Sequence, residues 1–177
     1  MTGQIKDFIR TIPGFPHDGI LFRDVTPLFG SAEGLELAVR GLVAATNETH
    51  FDKVAGIEAR GFIIGGALAQ ELGTGFVPVR KKGKLPAATI SEDYELEYGV
   101  ETLEMHGDSV VHGERILLVD DLLATGGTAA AAARLVDRLG GTVVQVGVII
   151  ELPDLGGRAV LNSMGLSVAT LCTFPGH

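Results

Sequence analysis

The chain reads as an α/β protein, a mainly parallel twisted sheet flanked by helices. Three observations carry this. Candidate strands alternate with candidate helices along the sequence, the order that joins parallel strands through crossovers. The strands are apolar nearly throughout and do not alternate with polar residues, as befits strands covered on both faces. The 177 residues, 46% of them hydrophobic, suffice for one domain with a true core, so we read residues 1–177 as a single domain.

Taken in order, residues 2–10 suggest a short helix with Ile5, Phe8 and Ile9 on one face. Residues 13–30 are rich in Pro and Gly but mix large apolar and charged side chains, which argues for an ordered loop rather than a linker. Ser31 suits the N-cap of a helix running to about Asn47. Lys53–Ile57 is a short strand, Glu58-Ala59-Arg60-Gly61 the turn after it, and residues 62–72 a helix stopped by Gly73. Residues 76–79 form the next strand. Residues 85–114 hold eight acids and no Lys or Arg, with the apolar Leu96, Val100 and Leu103 among them. We expect a flap or hairpin over a site, partly mobile. Strands at 115–119 and 142–151 flank an alanine-rich helix at 129–139. A short helix at 158–164 and a strand at 166–171 complete the chain.

Composition excludes several classes of function. A net charge of −8 argues against a nucleic-acid surface. No apolar run approaches the ~20 residues of a membrane span. Lys6, Asp7 and Arg10 interrupt the N-terminus, so no signal peptide is expected there. Cys172 is the only cysteine, which rules out an intrachain disulfide and suits a cytoplasmic protein. It lies in an apolar stretch, as a buried structural thiol would.

The chemistry concentrates at residues 116–128, Ile-Leu-Leu-Val-Asp-Asp-Leu-Leu-Ala-Thr-Gly-Gly-Thr. A strand, a turn of small residues and a helix N-terminus make an anion site from backbone amides. Ala124, Thr125, Gly126, Gly127 and Thr128 would form it, with the Thr125 and Thr128 hydroxyls assisting. Asp120 and Asp121 stand beside it, although carboxylates repel phosphate. A sugar phosphate resolves the conflict: its phosphate takes the amides and its hydroxyls donate to the acids. Adjacent residues of a strand point to opposite faces, so both acids face one sugar only if the strand has ended there. The alternative is that one binds ribose while the other caps a helix or pairs with Arg.

Two other phosphate motifs fail. Gly56 and Gly61 have the spacing of a P-loop, but Phe62 stands where the Lys belongs, and no G-x-G-x-x-G opens a helix. Arg80, Lys81, Lys82 and Lys84 cluster after a strand, and Arg60 follows another. They form either a solvated face or a second anion site. With a diol and a monoester nearby, the second reading describes phosphoribosyl pyrophosphate, and so many anionic groups call for Mg²⁺ on oxygen ligands. There is no His/Cys cluster for zinc; His106 and His112 read as surface residues. The charged turns at 58–61, 80–84 and 120–128 all follow strands, where sites of such sheets lie, and should converge.

Residues 116–128 resemble the phosphoribosyl-pyrophosphate motif of the type I phosphoribosyltransferases. Four further segments are similar to the adenine branch of that family: Phe15-Pro16-x-x-Gly19-Ile20-x-Phe22-Arg23-Asp24-x-Thr26-Pro27, Gly56-Ile57-Glu58-Ala59-Arg60-Gly61-Phe62, Arg80-Lys81-Lys82-Gly83-Lys84-Leu85-Pro86 and Leu96-Glu97-Tyr98-Gly99. The likeness spans about residues 8–155. It implies that family's fold, with a small hood at about 1–30 and a flap at about 84–114. It implies adenine under the hood, facing Leu21 backbone groups and Arg23. Glu97 would manage the purine proton, with Tyr98 beside it closing the site; Glu95 and Glu101 are rivals for the acid. Arg60, Arg80, Lys81 and Lys84 would hold pyrophosphate, Asp120 and Asp121 the ribose hydroxyls, and residues 124–128 the 5′-phosphate. Mg²⁺ would be held mainly by the substrate, with Asp120 or Asp121 reaching it through water. The implied reaction converts adenine and phosphoribosyl pyrophosphate to AMP and pyrophosphate, in a homodimer. Glu58-Ala59 stands where Asp-Ser is common, and Ala87-Ala88 where a Gly is common. The alternatives are another purine base, or a non-catalytic regulator that senses phosphoribosyl pyrophosphate.

Overall fold

The computed structural model describes residues 4–46, 50–96 and 99–176. Nine strands and five α-helices are assigned among them: β1 Arg10–Pro13, β2 Leu21–Asp24, α1 Thr26–Phe29, α2 Ala32–Ala45, β3 Lys53–Ile57, α3 Arg60–Leu72, β4 Gly75–Lys81, β5 Thr89–Leu96, β6 Gly99–His106, β7 Arg115–Leu123, α4 Gly127–Arg138, β8 Thr142–Glu151, α5 Gly157–Ser163 and β9 Val168–Thr173. Seven strands form one sheet in the order β5-β6-β4-β3-β7-β8-β9. The run from β4 to β9 is parallel, and the β5–β6 hairpin adds to its β4 edge antiparallel. The expected α/β class therefore holds.

Two apolar cores cover the faces of the sheet. Val54, Leu117, Val119 and Ile149 pack on one face with Leu42 of α2 and Ile64 and Leu68 of α3. Ala55, Val77, Leu118 and Val146 pack on the other with Leu135, Val136 and the alanines of α4. Strands buried on both sides cannot alternate apolar with polar, which is the pattern the sequence displays. The alanine run lets α4 lie close to the sheet: Ala131 and Ala132 are wholly buried.

Element limits follow local chemistry. The Ser31 hydroxyl accepts from the Gly34 amide at 3.2 Å and starts α2 one residue later, as expected. Gly73 ends α3 with a φ of 66°, which favours glycine. β3 and β8 keep their expected bounds.

Three expectations need correction. Of the helix expected at 2–10, the described residues form a 3₁₀ turn, Ile5–Phe8, and the stretch at 13–30 is not merely a loop. Its β2 pairs antiparallel with β1, and α1 follows with Pro27 in its first turn. Periodicity cannot reveal strands of four residues. Here a long-range ion pair helps tie the hairpin, Arg10 Nη2 to Asp24 Oδ2 at 2.6 Å. Finally, β7 does not stop at Val119. β8 continues beside it, pairing Asp120 with Val148, Leu122 with Ile150 and Leu123 with Glu151, so Asp120 and Asp121 lie within the strand.

The acidic stretch at 85–114 is largely the β5–β6 hairpin. Its base is tied to α4: Arg134 Nε reaches Glu92 Oε1 at 2.6 Å, and Arg138 Nη1 reaches Glu92 Oε2 at 3.1 Å and the Ser91 carbonyl at 2.6 Å. Cys172 is buried as expected, with its thiol donating to the Ile149 carbonyl; burial pushes the thiol up to about 11. His106 departs from the surface position expected of it. It is half-buried, with Nε2 shielded from water and unpartnered, because β6 joins the sheet. No helix among the described residues is long and apolar enough to cross a membrane.

Candidate active site

β3, β4 and β7 run parallel, so the turns at their carboxyl ends meet at one edge of the sheet. A cavity of about 610 Å³ opens there, bordered by Glu58 and Arg60 after β3, Lys81 at the end of β4, and the stretch from Asp120 to Gly126 with Thr128. The three charged turns converge as their sequence positions predict. Tyr94 and Glu101 of the β5–β6 hairpin close one wall.

The small-residue turn takes its shape from two glycines. Gly126 has a φ of 85° and is the N-cap of α4, so no side chain caps the first amides of that helix. Gly157 lies behind it. Its amide donates to the Ala124 carbonyl at 3.0 Å, and a Cβ there would stand 2.2 Å from the same oxygen. A helix N-terminus with uncapped amides attracts anions.

The two acids differ. The Asp121 side chain is 7% exposed, and its Oδ2 lies 2.7 Å from Arg60 Nε, an ion pair without hydrogen-bond alignment. Its amide donates to Asp120 Oδ1 at 2.8 Å. Burial, and then the charge of Asp121, push the Asp120 carboxyl well above the usual carboxylate range. Within a strand the two project to opposite faces. They nevertheless border one cavity, which wraps the carboxyl end of β7. Asp121 thus has the Arg partner that one of the two readings from the sequence allowed, while still bordering the cavity together with Asp120.

The basic cluster divides. Arg80 Nε and Lys84 Nζ fold onto Glu58, at 3.0 and 3.1 Å, and the Lys81 amide donates to the same carboxylate at 2.8 Å. Burial raises the Glu58 carboxyl, but these three donors together hold it below its ordinary value. The guanidinium of Arg80 also lies over the Phe62 ring, at 5.8 Å. Of the cluster, the Lys81 side chain borders the cavity, where its ammonium meets Glu101 Oε1 at 2.8 Å. Glu101 Oε2 accepts from the Tyr94 hydroxyl at 2.7 Å, and the Thr128 side chain bonds to the same phenol. Burial and then Glu101 push Tyr94 up to about 12. Glu58 and Tyr94 are members of the site that sequence reasoning missed. An acid in a turn between two basic segments was the available signal for Glu58; Tyr94 gave none.

In the hood, Arg23 is not turned toward the cavity. It is buried, donates to Thr11 Oγ1 at 2.6 Å and to the Pro175 carbonyl at 3.3 Å, and stacks on Phe174 at 4.5 Å. Its neighbour on the other side of β2 faces the site: the Phe22 ring lies 5.3 Å from the Arg60 guanidinium and edge-on to Phe15. Leu21 is exposed at the end of the hairpin. Glu97 and Tyr98 lie outside the described residues. Of the rival acids, Glu101 borders the cavity, and Glu95 is exposed. The described residues contain no group of three or more His, Cys, Asp or Glu arranged to hold a metal ion.

Comparison with known proteins agrees with this geometry. The family described as the phosphoribosyl transferase domain matches residues 30–159. An adenine phosphoribosyltransferase of Ruegeria pomeroyi is 59% identical over 99% of this chain and 98% of its own. The crystal structure of adenine phosphoribosyltransferase from Rhodothermus marinus superposes with a TM-score of 0.90, at 51% identity, over 96% of each chain. The enzyme of Saccharomyces cerevisiae, complexed with an imino-altritol bisphosphate and adenine, has a TM-score of 0.88 at 39% identity, over 95% of this chain and 96% of that one. An amide cradle, an acid pair and a cation cluster on one parallel sheet thus coincide with full-length similarity, and the chain belongs to the adenine phosphoribosyltransferase family.

Proposed function

We propose that the chain transfers the 5-phosphoribosyl group of phosphoribosyl pyrophosphate to adenine, giving AMP and pyrophosphate. One observation carries this reading: a single cavity brings an amide cradle, an acid pair and cations to the ends of three parallel strands. Few ligands besides a phosphorylated sugar with a second polyanionic end need all three. Relatives bearing the adenine phosphoribosyltransferase name, and one solved with adenine bound, support the choice of base.

The amides and hydroxyls of residues 124–128 hold the 5′-phosphate. Asp120 and Asp121 accept from the ribose hydroxyls, with the Arg60 guanidinium beside Asp121. Arg60 and Lys81 meet the pyrophosphate, while Arg80 and Lys84, gathered on Glu58, add positive potential behind it. Adenine lies against the hood near Leu21 and Phe22. Glu97 handles the purine proton and Tyr98 closes over it, which rests on the family resemblance. As the bond to pyrophosphate loosens, positive charge grows on the sugar and negative charge on the leaving group. Cations already in place stabilise the latter without reorganising. Flap closure keeps water from the sugar cation.

Mg²⁺ suits this donor set. The acids offer carboxylate oxygens, and two of them cannot alone satisfy a six-coordinate ion, so substrate oxygens and water complete it. Bound there, Mg²⁺ would neutralise pyrophosphate. The protein is read as a cytoplasmic homodimer, the former resting on its lone buried thiol and the latter on resemblance.

The test is a product assay with phosphoribosyl pyrophosphate, Mg²⁺ and each purine base in turn. AMP from adenine alone is expected. Equal turnover of guanine would overturn the choice of base, and no pyrophosphate from any base would overturn the reaction.

A further inference from the structure

Three acids of the chain hold the cations around the cavity. Asp121 pairs with Arg60, Glu58 takes Arg80 and Lys84, and Glu101 takes Lys81. They are not equivalent. The side chains of Asp121 and Glu58 are 7% and 5% exposed. Removing a partner from a buried charge is costly. The Glu101 side chain is 33% exposed and its Lys81 partner 50%, and Glu101 sits on flap strand β6. Ion pairs this open to solvent are weak. An arriving polyanion therefore displaces Glu101 from Lys81 far more readily than it displaces the other two acids. The displaced carboxylate cannot swing far, because the Tyr94 hydroxyl still donates to it at 2.7 Å, and Tyr94 is buried. It stays beside the anion that has taken its cation, and like charges at close range repel.

We propose that Glu101 is the resident counter-anion of the pyrophosphate end of this cavity, keeping Lys81 in position while the site is empty and weakening the hold on pyrophosphate once it is full. Glu101 is thus a positioning residue for Lys81 that lowers affinity by its charge. This rests on the functional reading above, in which Lys81 meets pyrophosphate.

The experiment measures binding of magnesium pyrophosphate and of AMP by calorimetry for the wild type, Glu101→Gln and Glu101→Asp, with thermal midpoints reporting folding. Gln keeps an acceptor for Tyr94 but loses the charge; Asp keeps the charge on a shorter stem. Glu101→Gln should tighten pyrophosphate binding about twofold to fivefold, the range one weak ion pair supports. Glu101→Asp should stay within about twofold of the wild type, and in Glu101→Gln AMP affinity should change less than pyrophosphate affinity. Unchanged or weaker pyrophosphate binding in Glu101→Gln overturns the proposal. So does equal tightening in Glu101→Asp, since shape and not charge would then be responsible. A wild type that turns over adenine while Glu101→Gln fails to tighten sinks this inference alone; a wild type that binds no pyrophosphate sinks the functional reading with it.

Discussion

Asp120 and Asp121 are neighbours with opposite electrostatics. Asp121 has a guanidinium at 2.7 Å, whereas Asp120 is half-buried beside the charge of Asp121. Neutralising Asp120 should therefore stabilise the free protein while impairing it as an enzyme. Asp120→Asn keeps the acceptor for the Asp121 amide and removes the repulsion. We expect its thermal midpoint to rise by about 2–4 °C, equivalent to ~1 kcal/mol in a chain of this size. Its use of phosphoribosyl pyrophosphate should fall, and calorimetric scanning beside a turnover assay checks both halves. Asp121→Asn should act otherwise. It leaves the Arg60–Asp121 pair broken and removes the acceptor proposed for ribose, so KM for phosphoribosyl pyrophosphate should rise at least tenfold; unchanged affinity would count against the diol assignment. The acid pair itself was legible in the sequence, but which acid holds the arginine was not. That depends on where α3 begins relative to β7, two elements brought together only by folding.

At the scale of elements, the turn at 124–128 depends on a glycine thirty residues downstream. A Cβ on Gly157 would stand 2.2 Å from the Ala124 carbonyl and 2.9 Å from the Gly126 amide, both of them backbone atoms that cannot yield cheaply. Gly157→Ala should distort the turn, costing about 1–3 kcal/mol of stability as overpacked sites do. AMP affinity should drop more than pyrophosphate affinity, and titration with each ligand tests the difference. The β5–β6 hairpin is clamped at its base by Glu92 between Arg134 and Arg138. Glu92→Ala should speed protease cleavage within residues 89–106, followed by mass spectrometry, with little change in thermal midpoint, because the clamp lies partly in solvent. Long elements were legible because burial on both faces writes an apolar run into the sequence, as in β3 and β8. The β1–β2 hairpin was not, since four-residue strands carry no period and are held by contacts such as Arg10 with Asp24.

For the whole molecule, acid sensitivity follows from the same pairs. Hydrogen bonding from Arg10 draws Asp24 down to about 2, against burial, and the donors on Glu58, Glu101 and Glu114 lower those carboxyls too. The sign is fixed by proton counts. Below the unfolded values of 3.8 and 4.5, the unfolded chain binds more protons than the folded one, so stability falls as pH drops through that region toward 2. Asp120 works in reverse, being raised, and its penalty grows as pH climbs above 3.8. Urea midpoints between pH 6 and pH 3 should fall, and Asp120→Asn should lift the upper end of that curve relative to the wild type; a flat profile would contradict the ion-pair account.

Sequence alone determined the layered parallel architecture, the small-residue turn before α4 and the convergence of three charged strand ends. Each follows from local rules: apolar runs, small residues at a helix start, and the polarity of parallel strands. Only the tertiary structure decided that β7 runs on through both acids, that Arg23 turns away while Phe22 faces Arg60, and that Glu58, Tyr94 and Glu101 join the site. Those outcomes depend on partners far apart in the chain, whose meeting is set by sheet register and packing rather than by any neighbouring residue.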